Sequence, residues 1–166
     1  MRFRLFASWA VLVALIFATG CSEQVDLQKA LQLTDVTTGW YDAGIEQSPE
    51  GPKNKLVPTI SFRLRNVGDS EISSVQINSI FRRVGEEDEW SSAWVRGIGY
   101  PGLTAGASTE PLTLRSQLGY LGLQPRAEML QNKEFVDARV EIFAKHGSAQ
   151  WVKLAEHRIE RVLLTQ

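Results

Sequence analysis

Apolar and polar residues alternate with a period of two over most of the chain beyond residue 55. In "LVPTISFRLRN", Leu56, Pro58, Ile60, Phe62 and Leu64 are apolar, while Thr59, Ser61, Arg63 and Arg65 are polar. This pattern predicts a strand with one buried face. "NVGDSE" follows as a turn, because Asn66, Gly68 and Asp69 accept left-handed backbone or bond their own chain. Val75, Ile77, Ser79 and Phe81 then alternate with Gln76, Asn78 and Arg82, and "GEEDE" turns the chain into Trp90–Val95. Val136, Ala138, Val140, Ile142 and Ala144 alternate with Asp137, Arg139, Glu141 and Lys145 before a turn at "KHGSAQ" and a closing segment from Trp151 to Leu164. The period changes only at "QPRAEMLQN". There Pro125 suits the first turn of a helix, and Ala127, Met129 and Leu130 form a short apolar stripe. Many strands and little helix predict a mainly β chain, an immunoglobulin-like antiparallel sandwich of two sheets with one short helix near 125–132.

The first twenty residues follow another rule. Arg2 and Arg4 precede a run from Leu5 to Phe17 that is apolar except for Ser8. A spanning helix needs about 20 apolar residues, so this shorter run fits the core of a secretory signal. It ends in Ala18-Thr19-Gly20-Cys21, and Cys21 is the only cysteine. This cluster resembles the lipobox of bacterial lipoproteins, in which Leu is the commonest residue where Ala18 stands. The resemblance implies diacylglycerol on the Cys21 sulfur, cleavage before it and acylation of the new amino terminus. One acyl chain binds a membrane marginally, at about 0.8 kcal/mol per buried CH₂, whereas two or more anchor stably. Ser22, where an Asp would imply inner-membrane retention, implies the periplasmic face of the outer membrane.

The expected organisation is therefore a signal peptide over 1–20, a lipidated cysteine with a polar tether over 21–32, and a sandwich over 33–166. Such a tether would let the domain float clear of the headgroups. Removing residues 1–20 leaves 16 basic against 19 acidic residues, a net charge of −3. That balance argues against nucleic acid and against a polybasic lipid-binding surface. Without a second cysteine the domain has no disulfide, and burial must stabilise it.

"ISFRLRNVGDSEISSVQINSIFRR" resembles the FxLYD-type and related exported β-sandwich domains through Asn66, Gly68, Asp69, Val75, Ile77 and Phe81. It departs from them at Arg82-Arg83, where an acidic residue is common. From Leu56 onward the chain is also similar to an uncharacterised group of bacterial lipoproteins. The resemblance implies a non-catalytic module and brings no mechanism.

Candidate chemistry is sparse. "GIGYPG" (Gly97, Gly99, Gly102) matches a dinucleotide-binding glycine pattern, but Pro101 interrupts it and loop residues follow where a helix is required. His146, His157, Glu141 and Glu156 fit no metal-site spacing, and "EEDE" is too short for an EF-hand. No catalytic, cofactor or metal residue is assigned. Trp90 and Trp94 are four apart, so on one strand they share a face. They either fill the core or offer an exposed platform for carbohydrate or peptidoglycan. Tyr100, and the segment bearing Tyr120, Leu121 and Arg126, carry interface-prone side chains and are the expected contacts with another envelope protein. The sequence thus points to a non-enzymatic, membrane-anchored binding or scaffold module.

Overall fold

The computed structural model describes residues 25–164, so the apolar leader and Cys21 lie outside the described residues. The elements in chain order are α1 (Leu27–Ala30), β1 (Leu31–Ser48), β2 (Gly51–Asn66), β3 (Val75–Arg83), β4 (Ser91–Ile98), β5 (Leu112–Arg115), β6 (Tyr120–Gly122), α2 (Arg126–Met129), β7 (Ala138–His146), β8 (Val152–Arg158) and β9 (Leu163–Leu164). One sheet runs β5-β2-β1-β9, with β6 also on β2, and the other runs β4-β3-β7-β8. The pairs are antiparallel except β1 with β9. The two sheets pack as the sandwich that the alternation predicts. Among the described residues no helix is long and apolar enough to cross a membrane.

The inward positions of the alternating segments form the core. Leu56, Ile60, Leu64, Val75, Ile77, Phe81, Val140, Ile142 and Ala144 are all fully buried, and Trp40 of β1 joins them. Ser79 occupies an inward position too, and its hydroxyl donates to the Ala93 carbonyl at 3.0 Å. That bond offsets the cost of burying a hydroxyl. At Gly97 the sheets approach so closely that a Cβ would sit 2.7 Å from Ile77 Cγ1 and 2.9 Å from Leu64 Cδ1. Gly97 and Ile98 belong to β4 and only the rest of "GIGYPG" is loop, so packing accounts for the first glycine of the motif.

Pro58 shows how one residue shapes a sheet edge. Its carbonyl faces the β5/β6 side, where it accepts from Ser116 N at 3.0 Å. A proline cannot donate on that same side. There the edge strand breaks: β5 pairs with Thr59–Phe62, β6 pairs with Asn54–Leu56, and residues 116–119 arch between them.

Three expectations change. The polar stretch expected as a tether is part of the fold from residue 25: Val25 packs on the core, and Leu27 and Leu31 are 4% and 5% exposed. Leu27 on α1 and Leu31 at the start of β1 together dock it. The domain therefore begins by residue 25 rather than 33. The helix near 125–132 is present as α2, a single turn, and α1 is a second one. The "NVGDSE" turn carries the chain from one sheet to the other, because β2 and β3 lie in different sheets.

Candidate functional site

The outer face of the β4-β3-β7-β8 sheet is set by parity. With Val75, Ile77, Ser79 and Phe81 inside, Gln76, Asn78, Ile80 and Arg82 point out. Cross-strand register then aligns Trp94, Asn78, Phe143 and Lys153 in one row, and Ser92, Ile80, Glu141 and Glu156 in the next. Ile80 lies diagonal to both Trp94 and Phe143, within reach of large side chains. Trp94 is 76% exposed, whereas Ile80 and Phe143 are half-buried. These three make an apolar stripe across a face that ordinarily carries polar residues.

Beside the stripe is a charge lattice. Glu141 and Glu156 stand directly opposite each other, an arrangement that repels unless cations intervene. Lys153 Nζ lies 2.7 Å from a carboxylate oxygen of each. Arg82 Nε donates to Glu141 at 2.9 Å, and Arg139 Nη1 reaches Glu156 at 3.4 Å. Hydrogen bonds from Lys153 hold both carboxyls below their ordinary values against the desolvation that opposes them, and Glu141 in turn raises Lys153 and Arg82. At the sheet's end Asp137 is lowered by Arg161 first and by Arg158, with Arg161 Nε at 2.6 Å.

A pH dependence follows from these directions. A carboxyl lowered by folding contributes stability above its unfolded pKa and loses it as pH falls through the folded one. Thermal unfolding is therefore expected to be flat from about pH 8 to 6. The Tm is then expected to fall as pH passes below the ordinary carboxylate range. Glu141→Gln should flatten that acid limb while lowering Tm near neutrality, because Arg82 and Lys153 lose their shared partner. A Tm–pH profile on the two proteins checks this; an unchanged acid limb would count against the lattice.

The residues expected to bind a partner do not converge. Tyr100 is 88% exposed in the turn after β4, beside Ser74 and Gly147. Tyr120, Leu121 and Arg126 lie at the opposite end of the sandwich. There Tyr120 packs on Phe135 at 4.7 Å, and Leu121 pairs in register with Lys55. Arg126 Nε lies 2.5 Å from Asp42, whose carboxyl is held down by Arg126 and the Gly44 N–H although burial opposes it. Of these three, Tyr120 packs against the core. The tryptophan pair also separates. Trp90 precedes β4, so strand parity does not govern it. Its ring lies 6.5 Å from the core Trp40, with the Arg83 guanidinium 5.0 Å over it. Trp94 is the exposed one of the two, and Trp90 is half-buried.

His146 ends β7 and His157 pairs with Val140 near its start, roughly 20 Å apart along the strand. Among the described residues no group of three or more His, Cys, Asp or Glu side chains is placed to hold a metal ion. Ile80 and Phe143 escaped sequence reading, although each is an apolar residue at a position where its strand is otherwise polar.

No family model matches the chain, and no curated protein matches it. Among solved structures, the X-ray structure of Northeast Structural Genomics Consortium target SoR45 is similar at 13% identity and a TM-score of 0.43, over 80% of this chain and 88% of that one.

Proposed function

We propose that this chain is a non-enzymatic envelope lipoprotein, anchored through acyl chains on Cys21 at the periplasmic face of the outer membrane. Its sandwich binds another envelope protein through the outer face of the β4-β3-β7-β8 sheet. The observation that carries the binding reading is Trp94, 76% exposed at the head of a stripe completed by Ile80 and Phe143. Exposed apolar area on a sheet face, rimmed by Arg82, Arg139 and Lys153, has the anatomy of a binding surface, with an aromatic anchor and a charged border. The Ala-Thr-Gly-Cys motif supports the anchor. The second reading is a carbohydrate or peptidoglycan platform; it rests on Trp94 with Asn78 beside it in register, since Trp90 is packed under Arg83.

The test combines two substitutions. Cys21→Ser is expected to abolish lipid labelling and leave the protein unprocessed. A photo-crosslinker at position 94 or 143 is expected to capture the same envelope protein, while one at Thr113 on the opposite sheet captures none. Trp94→Ala should remove the 143 crosslink yet change stability by no more than about 0.5 kcal/mol, because the indole is exposed. Equal crosslinking from 94 and 113 would sink the protein-binding reading, and quenching of Trp94 by soluble peptidoglycan fragments would favour the second.

A further inference from the structure

The end of the sandwich that bears α1 carries two exposed aromatics and the first of the described residues. Val25, Asp26 and Leu27 share a groove with His146, Ala149 and Gln150 of the β7–β8 turn. From that turn Gly147 N donates to Ser74 O at 3.1 Å, and Ser74 N donates to Gly99 O at 3.2 Å, next to Tyr100. Trp151 borders the same turn, 42% exposed, with Lys145 Nζ 5.8 Å from its ring. Among the described residues the exposed large aromatics are Trp94, on the sheet face, and Tyr100 and Trp151 at this end.

Chain length decides what this end faces. Val25 and Leu27 are packed on the core, so only residues 22–24 separate the fold from Cys21. Four Cα steps span at most about 14 Å. β3 alone, at nine residues, runs roughly 30 Å from this end to the other. An acylated Cys21 sits at the glycerol level of the lipids, so this end stays within about 14 Å of that level, in reach of the headgroup layer, and the far end does not. Tyr and Trp are the residues that favour that layer, with an apolar body and a polar tip, and Lys145 adds a cation suited to lipid phosphate.

We propose that the α1 end, through Tyr100 and Trp151, rests in the headgroup region of the bilayer that holds Cys21, fixing the orientation of the domain. The inference depends on the lipidation reading above, and its test separates the two. If Cys21 is acylated, the chain offers no competing thiol. Ser148→Cys at the tip of the β7–β8 turn and Glu50→Cys at the far β1–β2 tip then each accept one environment-sensitive fluorophore. The full processed protein is reconstituted into phosphatidylethanolamine–phosphatidylglycerol vesicles containing a lipid with a shallow spin-label quencher. Label 148 is expected to be quenched at least about threefold more than label 50. Tyr100→Ala with Trp151→Ala, both exposed side chains, should reduce that difference by half or more. Acylated protein in which labels 148 and 50 are equally unquenched overturns this inference alone. Purified protein whose mass shows no acyl chains overturns the lipidation reading and this inference together.

Discussion

Trp40→Ala is expected to lower the stability of the domain by about 3–5 kcal/mol, a large share of the 5–15 kcal/mol typical of a folded domain. Trp40 is fully buried between the sheets, with Phe135 edge-on at 4.5 Å and Trp90 tilted at 6.5 Å. Deleting the indole opens a cavity where β1, the β3–β4 hairpin and the segment before β7 meet. Its Nε1–H finds no acceptor among the described residues. Burying an unpaired donor costs about 1–3 kcal/mol, so a ring without the N–H recovers part of the loss. Trp40→Phe should therefore cost less than half as much as Trp40→Ala in urea unfolding. Equal losses for the two would mean that ring size alone matters.

Asn66→Ala carries the second largest expected effect, about 2–4 kcal/mol. Asn66 is fully buried, and its side chain is saturated. Nδ2 donates to Ser70 O and Leu103 O at 2.8 Å each, and Oδ1 accepts from Gly68 N at 3.0 Å. Its backbone N–H donates to Ala107 O at 2.9 Å, and its carbonyl accepts from Gly106 N at 2.8 Å. One residue thus fastens the 67–72 crossing to the 103–107 loop. Alanine leaves Gly68 N and Ser70 O without their side-chain partner and leaves Leu103 O with Ile72 N alone, and Asn66→Asp removes both donors while adding charge beside two carbonyls. Both variants should also become sensitive to protease within 67–72 and 103–107. A loss under about 1 kcal/mol with unchanged proteolysis would contradict this reading.

The strands that sequence reading located are those whose parity is unbroken. β2 beyond residue 55, β3 and β7 keep an unbroken inward row, with only Val57, Ile80 and Phe143 as apolar residues of opposite parity, so alternation alone finds them. β1 has no such signal although it is the longest strand. Its register with β2 shifts between Thr34 and Thr37 and again between Asp42 and Ile45. Each irregularity resets which face a side chain meets. The same logic explains Trp90 and Trp94: four residues apart share a face only if both lie inside the strand. The turn at Asn66 was legible from residue type, but its role was not, since Leu103 and Ala107 come from a distant loop. The stripe on the outer sheet was hidden because Ile80 and Phe143 gain meaning only once register sets them diagonal to each other.

The direction in which β1 enters the fold has a mechanical consequence. The chain passes from α1 straight into β1, which runs antiparallel along β2 from Leu31↔Asn66 to Ser48↔Gly51. A pull on the amino-terminal end along the strand axis loads those ladder bonds side by side, in shear, rather than opening them one after another. The β9 segment adds a second grip, with Val162 O accepting from Trp40 N at 2.8 Å. A domain built this way resists tension applied from its amino-terminal side, and would yield far more readily to a force that peels β2 away from the side.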